Sequence, residues 1–378
     1  MNRAPDLTAD LASQFATRIR AAADTGTLLR IRGGGTKDFY GQSLQGEMLD
    51  TTALSGVVSY EPSELVITAL AGTPLSEVES TLAAQGQCLP FEPPHFSPGG
   101  TLGGAVASGL SGPARASAGA VRDFMLGVNL INGRGELLTF GGQVMKNVAG
   151  YDVSRLMAGS MGTLGLLVDV SLKVLPVPPA EATLRFQCSQ AQALQWLNAW
   201  GGKPLPLHAS CWVNEDDGGA DGSGTLYLRL RGAAAAVEAA CKALGGQLQD
   251  NAAVAPDWQA CRDQTLAWFT QRPAEHDLWR LSVPQTAPVL DLPEPPLVEW
   301  HGGQRWVRAL PAQGAQIRDA ARSAGGHATL FIASNPISER AADRFDALKP
   351  PLDRIHRELK REFDPAGILN RGRLCADW

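Results

Sequence analysis

The residues best suited to chemistry are three glycines, a threonine and a lysine at 33–37, directly after the apolar run TLLRIR. Consecutive glycines let backbone N–H groups converge on an anion. The Thr36 hydroxyl can donate a further hydrogen bond and Lys37 can supply a positive charge. A plain glycine turn is the alternative. Since neither G-x-G-x-x-G nor G-x-x-x-x-G-K-[ST] occurs in this run, it indicates a phosphate cradle outside the Rossmann and P-loop classes.

A second concentration of small residues lies between Pro93 and Gly165, with glycines at 99, 100, 103, 104, 109, 112, 119 and 127. This density is unusual inside a helix or strand, because glycine loses more backbone entropy on folding than other residues. We therefore expect an irregular segment that a large bound ligand orders. The hairpin-like sequence MLGVNLINGRGELLTF argues against disorder, and we expect Arg122 and Asp123 to fix the loop before it.

Composition places the chain among ordinary globular proteins of two or three domains, with 378 residues, 44% of them hydrophobic. A formal charge of -5 and the absence of a basic run count against nucleic acid as a partner. The six cysteines contain no C-x-x-C pair, and the six histidines contain neither H-x-H nor H-x-x-x-H. We therefore predict no metal site and no iron–sulfur cluster in this chain.

The sequence shows no segment suited to secretion or to a membrane span. Asp6 and Asp10 interrupt the region where a signal peptide needs an apolar run, and Asp169 and Lys173 interrupt the most apolar window, Leu156 to Leu175. We predict a cytoplasmic protein that meets a membrane only through its partners.

Hydrophobic patterns along the chain predict an α+β fold. An amphipathic helix is expected over 7–24, and strand-like runs alternate with a helix between 57 and 86. A proline-rich break at 176–179 precedes a β-α-β-β-α-β order in 181–250. A helix around Trp258 to Phe269 and a closing helix from Leu352 to Glu362 complete the prediction.

Four motifs, taken in their order along the chain, resemble the FAD-linked oxidases of the vanillyl-alcohol oxidase type. RGGGTK is similar to the pyrophosphate loop of that family, and PGGTLGGAVASG to its main flavin-contacting segment. GSMGTLGLLVDVSLKV is similar to the segment that closes over the ribityl and adenine parts, and FDPAGILNRGR to the end that returns to the isoalloxazine ring. The resemblance covers nearly the whole chain.

This resemblance implies a PCMH-type FAD-binding domain of two subdomains at 1–178. It also implies a small ferredoxin-like α+β cap at 181–335, followed by a C-terminal helix and a flavin-returning segment at 336–378. Within the family, GGQVMKNVAGYDVSRLMAGSMGTLG and AGGHATLF are most similar to the FAD-binding E subunits of bacterial glycolate oxidases.

The resemblance further implies an enzyme complex that oxidises glycolate, a small 2-hydroxy acid, to glyoxylate by hydride transfer to the flavin with onward electron transfer. Its implied partners are a paralogous flavoprotein subunit and an iron–sulfur subunit, which would give the chain a peripheral place at the inner membrane. Two alternatives stay open. One is a free-standing FAD-dependent 2-hydroxy-acid dehydrogenase, and the other is a non-catalytic assembly subunit with a flavin-type fold.

Carried over onto this sequence, the motifs imply residues that hold FAD through backbone, hydroxyl and charged groups. These are Arg32, Gly33, Gly34, Gly35, Thr36, Lys37, Pro98, Gly100, Thr101, Gly103, Gly104, Ser108, Gly109, Gly159, Gly162, Thr163, Gly165, Val168 and Asn370. Covalent members of the family often carry histidine or cysteine where this chain has Gly35 and Thr36. Non-covalent FAD is therefore predicted, with His95 as the nearest alternative point of attachment.

Oxidation of a 2-hydroxy acid needs a cation for the carboxylate, a base for the hydroxyl proton and a hydride acceptor, here the flavin. Arg371 is the predicted cation, with an exposed surface arginine as the alternative. His327 is the first candidate base and His301 the second, because imidazole titrates near neutral pH. A structural histidine beside a strand is the alternative for both.

Overall fold

The computed structural model describes residues 4–42, 45–142, 152–214, 223–334 and 343–375. The helices are α1 (Ala4–Thr25), α2 (Leu75–Ala83), α3 (Leu102–Ser108), α4 (Arg115–Ala118), α5 (Val121–Phe124), α6 (Val153–Leu156), α7 (Gln190–Gly201), α8 (Ala234–Leu244), α9 (Asn251–Asp263), α10 (Ala267–Thr270), α11 (Gly314–Ser323) and α12 (Leu352–Phe363). The motif residues 143–151 lie outside the described ranges.

The strands fall into four sheets. They are β1 (Leu29–Arg32), β2 (Glu47–Asp50), β3 (Val57–Glu61), β4 (Val66–Leu70), β5 (Gln87–Cys88), β6 (Met125–Ile131), β7 (Leu137–Gly141), β8 (Leu166–Lys173), β9 (Leu175–Pro176), β10 (Ala180–Ser189), β11 (Leu207–Val213), β12 (Ser223–Gly232), β13 (Gln247–Leu248), β14 (Asp277–Ser282), β15 (Leu297–Glu299), β16 (Gln304–Ala309) and β17 (His327–Ile332).

A five-stranded antiparallel sheet in the order β3-β4-β8-β6-β7 supports the first half of the chain. Its central strands β4 and β8 are buried along almost their whole length. Helices α2 and α3 bury Leu82, Leu102 and Val106 in the same core. Strands β5 and β9 form a separate short pair beside it.

A parallel pair of strands, β1 and β2, packs with α1 around a second core. The helix buries Phe15 and Ile19 against Leu29 and Leu49, which confirms the amphipathic helix predicted at 7–24. Leu369 from the C-terminal segment bridges to Leu29 in a parallel arrangement. The end of the chain therefore lies beside the strand that enters the 33–37 loop.

The remaining strands form one eight-stranded antiparallel sheet in the order β13-β10-β12-β11-β15-β16-β14-β17. Its first four strands, with α7 and α8, have the arrangement of a ferredoxin-like unit, as predicted. The sheet extends beyond this unit because β11 also pairs with β15. This pairing is short and joins Cys211 with Glu299 and Trp212 with Val298. The proposed division of the chain at 178 and 335 stays a prediction.

Two expectations about local structure are wrong. The glycine-rich segment is not irregular throughout, because α3 runs through Gly103 and Gly104, and the Thr101 hydroxyl caps it by accepting from the Gly104 N–H at 3.1 Å. The helix expected around Trp258 to Phe269 is two helices, α9 and α10, since Gln264 adopts a left-handed conformation with φ of 56°.

A buried ammonium group ties the C-terminal segment to the rest of the chain. Lys360 Nζ donates to the carbonyls of Thr163 and Leu369, each at 2.8 Å, and to Asp364 Oδ2 at 2.6 Å. Asp364 Oδ2 also accepts from the Leu369 N–H at 2.8 Å. The segment after α12 is therefore fixed beside the second glycine-rich loop, 159–165. Of the helices in the described ranges, none is both long enough and apolar enough to span a membrane.

Candidate cofactor-binding site

A cavity of about 290 Å³ lies where four distant parts of the sequence meet: the 30–38 segment, α3, the loop before β8 and the C-terminal segment. Most of the residues predicted to hold FAD line it. These are Arg32, Gly33, Gly34, Gly35, Thr36, Lys37, Thr101, Gly103, Gly104, Ser108, Gly162, Gly165 and Asn370. The structure therefore brings the four sequence motifs to one place.

The 33–37 loop presents backbone N–H groups that are available to an anion. Among the described residues, none accepts a hydrogen bond from the N–H groups of Gly34, Gly35, Thr36 or Lys37. Four consecutive N–H groups that lie beside a cavity and have no acceptor among the described residues can donate to phosphate oxygens. This arrangement fits the pyrophosphate of FAD.

Gly34 holds this loop against the second glycine-rich segment. A Cβ atom built at Gly34 would lie 1.6 Å from the Gly99 carbonyl oxygen, so only glycine allows the two backbones to approach this closely. Arg32 also holds this loop, because its Nε donates to Asp38 Oδ2 at 2.8 Å and its guanidinium lies over Gly35. Arg32 thus lines the cavity as part of an ion pair.

Lys37 is a partly buried cation at the edge of the cavity. Its Nζ lies 3.4 Å from Thr36 Oγ1 and 5.6 Å from the centroid of the Phe96 ring. Burial lowers the pKa of Lys37 to about 8, while the negative charge of Asp263 opposes this shift. A phosphate group close to the ammonium would favour its charged form.

Asn370 connects two walls of the cavity. Its Oδ1 accepts from the Ile31 N–H at 2.7 Å, and its Nδ2 donates to the Met161 carbonyl at 2.6 Å. Asn370 is buried and has a φ of 42°, in the left-handed region that asparagine tolerates better than most residues. The neighbouring Gly162 has a φ of 73°, and a Cβ there would lie 2.5 Å from Asn370 Nδ2. The motif that predicted Asn370 therefore marks a structural junction of the site.

Sequence reasoning missed Arg373, which lines the cavity from the C-terminal side. Arg373 is buried, and its guanidinium donates to the carbonyls of Gln42 at 2.7 Å and Lys37 at 3.1 Å. Burial lowers the pKa of Arg373 to about 10, so it stays charged near neutral pH. The sequence singled out Arg371, but that side chain is exposed and lies outside the cavity lining.

Other lining residues carried no usable signal in the sequence, because they are ordinary apolar, hydroxyl or charged residues in strands, helices and turns. They are Arg30, Ile31, Asp38, Thr51, Ala71, Ala107, Met161 and Leu167.

Six of the predicted residues do not line the cavity: Pro98, Gly100, Gly109, Gly159, Thr163 and Val168. Val168 packs in the core, and its carbonyl accepts from the Ala71 N–H at 2.8 Å, so that carbonyl is already paired. The Thr163 hydroxyl donates to the Ser160 carbonyl at 2.7 Å. Gly109 packs against Gly159. These residues shape the walls rather than face the cavity.

The predicted bases are also absent from the lining. His327 begins the edge strand β17, and both burial and the charge of Arg280 lower its pKa. His301 is buried between the hydroxyls of Ser210, 3.0 Å from Nδ1, and Ser117, 2.9 Å from Nε2. Burial lowers the pKa of His301 to about 4, which makes it a weak base. The structure brings neither histidine to the cavity.

Three further expectations concern His95, metal ions and Asp123. The His95 ring lies 3.1 Å from Glu79, and none of the described residues that line the cavity is a histidine or cysteine. In the described ranges, no cluster of three or more His, Cys, Asp or Glu side chains is suited to a metal ion. Asp123 does fix its loop, because its Oδ2 accepts from the Ala120 N–H at 2.8 Å.

Replacing Gly34 by alanine should separate the two glycine-rich segments and weaken FAD binding about tenfold or more, because losing one charge-assisted hydrogen bond costs about 1.5–3 kcal/mol. The measurement is the dissociation constant from quenching of flavin fluorescence. Gly142→Ala is the matched control, since a Cβ there has no atom within 4 Å. Equal affinity in the Gly34→Ala and Gly142→Ala proteins would contradict this prediction.

The affinity for FAD should depend on pH through Lys37. The ammonium is charged below its pKa of about 8, so binding of the phosphates should be strongest there and should weaken as the pH rises through 8. Titrations of the apoprotein on both sides of this pH provide the check. Lys37→Gln should bind weakly at every pH, and Lys37→Arg should keep its affinity because arginine stays protonated. A flat wild-type profile would refute the assignment.

Comparisons with known proteins agree with the geometry of this site. A protein-family model described as an FAD binding domain matches residues 7–141. Alkyldihydroxyacetonephosphate synthase superposes with a TM-score of 0.64 over 94% of this chain and 74% of that chain, at 15% sequence identity, which shows a shared fold. D-lactate dehydrogenase of Anaerostipes hadrus is 30% identical over 37% of this chain and 29% of its own length.

Two further relatives are glycolate oxidase subunits. GlcD of Bacillus subtilis (strain 168) is 28% identical over 35% of this chain and 28% of its own length. Glycolate oxidase subunit GlcE of Escherichia coli (strain K12) is 42% identical over 97% of this chain, and the match covers 98% of that protein. With this identity along nearly its whole length, and with an FAD binding domain that contributes most of the cavity lining, the chain belongs to the family of glycolate oxidase subunit GlcE.

Proposed function

We propose that this chain is the FAD-binding subunit of a multi-subunit enzyme that oxidises glycolate to glyoxylate. The observation that carries this proposal is the cavity with its row of unpaired N–H groups, in a chain related over its full length to a glycolate oxidase subunit. FAD is the cofactor, and when bound it supplies the acceptor for a hydride from the carbon that bears the hydroxyl group.

The chain's own residues hold and orient the cofactor. The 33–37 loop binds the pyrophosphate through its N–H groups, and Lys37 and Arg373 place positive charge on that side of the cavity. The FAD is bound non-covalently. This is supported by Thr36 in the loop and by a described lining without histidine or cysteine.

The reaction takes place in an assembly rather than in this chain alone. Support for this comes from the positions of His301, His327 and Arg371, none of which lines the cavity. The partners are a paralogous flavoprotein subunit and an iron–sulfur subunit that passes the electrons on. Contact with the inner membrane is made through these partners.

Anaerobic addition of glycolate to the isolated, FAD-loaded chain tests this function. We expect a coloured protein whose flavin absorbance stays unchanged, and which bleaches after the partner subunits are added. Bleaching of the isolated chain would instead identify a free-standing 2-hydroxy-acid dehydrogenase. A chain that retains no flavin would overturn the proposal in favour of an assembly subunit. Glycolamide, which lacks the carboxylate, is the matched control substrate.

A further inference from the structure

A second cavity, with a volume of about 390 Å³, lies on one face of the eight-stranded sheet, under helices α9 and α10. Strands β11, β12, β15 and β16 supply lining residues from the sheet side, and the two helices supply the others. The cavity shares no lining residue with the cofactor cavity. Its size lies in the range of pockets that bind small organic ligands.

A row of aromatic rings leads from this second cavity towards the cofactor cavity. Trp268 lines the second cavity and packs edge-on against Phe269, with ring centroids 5.0 Å apart. Phe269 packs in the same way on Trp306 at 5.5 Å, and Trp306 on Phe331 at 5.0 Å. Phe331 packs on Tyr40, just beyond the glycine loop of the cofactor site. Along this path three rings lie between the two cavities, so a ligand in the second cavity does not occupy the place of the flavin.

The helix side of the second cavity is mainly apolar. Helix α9 contributes Val254, Trp258 and Cys261 at helical spacing. A helix face with this spacing normally packs directly on a sheet, whereas here it also borders the cavity. Contact with Cys211, followed by burial and the charge of Glu299, raises the pKa of Cys261 well above its ordinary value, so this thiol is neutral. This part of the cavity therefore suits an uncharged, apolar part of a ligand.

Three aromatic side chains line the second cavity: Tyr227, Trp258 and Trp268. Trp258 is fixed in place, because its Nε1 donates to Thr183 Oγ1 at 3.0 Å and the guanidinium carbon of Arg229 lies 4.7 Å from the centroid of its ring. Aromatic rings pack well against other rings. Because a side chain that is already ordered loses little further entropy on binding, this wall favours a flat, apolar ring.

Arg308 is the one cationic residue in the described lining of the second cavity. Its guanidinium carbon lies 4.9 Å from the centroid of the Trp268 ring, so the positive charge sits beside an aromatic wall. Its Nε lies 3.5 Å from Glu294 Oε2, and among the described residues none accepts a hydrogen bond from the guanidinium. Glu294 also lies 3.0 Å from His276 Nε2. The oxygens of a ligand would therefore give Arg308 hydrogen bonds that the described residues do not supply.

We propose that the second cavity binds a flat aromatic monocarboxylate, with the carboxylate on Arg308 and the ring against Trp258 and Trp268. The planar fork of a guanidinium matches the two oxygens of a carboxylate. One cation balances one negative charge, and the exposed Asp257 in the lining disfavours a second negative charge, such as that of a phosphate monoester.

This site is independent of the proposed oxidation of glycolate. Its residues come from the eight-stranded sheet and from the helices that cover it, and none of them lines the cofactor cavity. The site requires neither hydride transfer nor bound flavin, so it goes beyond the proposed function and can be tested separately.

The test is calorimetric titration of the full-length, FAD-loaded protein with 2-naphthoate. The ligand controls are 2-naphthamide, which has the same ring but no charge, and acetate, which has the carboxylate but no ring. Wild-type protein should bind 2-naphthoate saturably, and each control ligand about tenfold or more weakly, because each lacks one of the two contacts.

Three variants separate the two contacts. Arg308→Gln should weaken the binding of 2-naphthoate about tenfold or more and leave that of 2-naphthamide nearly unchanged, because only the charged contact is lost. Trp268→Leu should weaken the binding of both aromatic ligands, because it removes a ring from the wall. Arg322→Gln is the matched control, since Arg322 is an exposed arginine of α11 that pairs with Asp319. It should bind 2-naphthoate like the wild type.

Three results would overturn the site: no saturable binding of 2-naphthoate, equal affinity for 2-naphthamide, or wild-type affinity for 2-naphthoate in the Arg308→Gln protein. Release of flavin during the titration would also overturn it, because the ligand would then compete for the cofactor cavity. If Arg308→Gln does not fold, Arg308→Lys decides, since lysine keeps the charge but lacks the planar fork. Its affinity for 2-naphthoate should fall, and an unchanged affinity would contradict the site. Flavin content measured in the same samples separates a failure of this site from a failure of FAD binding.

Discussion

The junction at Asn370 is the constraint on which the cofactor cavity depends. One side chain accepts from the Ile31 N–H and donates to the Met161 carbonyl, and so joins the strand before the 33–37 loop to the loop before β8. Lys360 supports the same junction, because its ammonium donates to three buried acceptors: the Thr163 and Leu369 carbonyls and Asp364 Oδ2. Removing one partner of a buried charged pair typically costs about 3–5 kcal/mol, so this arrangement resists loosening. The two walls therefore keep their spacing through the C-terminal segment.

The eight-stranded sheet is held to the flavin-binding half by polar and aromatic contacts. The partly buried Glu92 accepts from the buried Arg229 of β12 at 2.6 Å and from the Ala114 N–H at 3.0 Å. Phe331 of β17 packs on Tyr40, with ring centroids 5.0 Å apart, just beyond the 33–37 loop. The eight-stranded sheet is thus fixed beside one wall of the cavity. The packing of the sheet is therefore coupled to the cofactor site.

The main parts of the fold and of the site could be predicted from local sequence signals. The strand before RGGGTK and the helix at 7–24 follow from apolar patterns, and the glycine loops follow from composition. Local signals do not separate Leu167, which lines the cavity, from Val168, which packs in the core, because both residues are apolar and buried. Local signals also do not separate Arg371 from Arg373, because the turn at Asn370 and Gly372, with φ of 42° and 82°, decides which arginine is buried. That turn depends on hydrogen bonds to residues more than 200 positions away.

The most direct test of this account is the affinity of an Asn370→Asp protein for FAD. The substitution keeps the size of the side chain and the acceptor for Ile31, but it replaces the donor to Met161 with a carboxylate oxygen facing a carbonyl. Leaving such buried groups unpaired costs about 1–3 kcal/mol or more. We expect FAD binding about tenfold or more weaker than in Asn251→Asp, which changes an exposed amide that also donates to a backbone carbonyl. Equal FAD affinity in the two proteins would contradict the claim that Asn370 assembles the cavity.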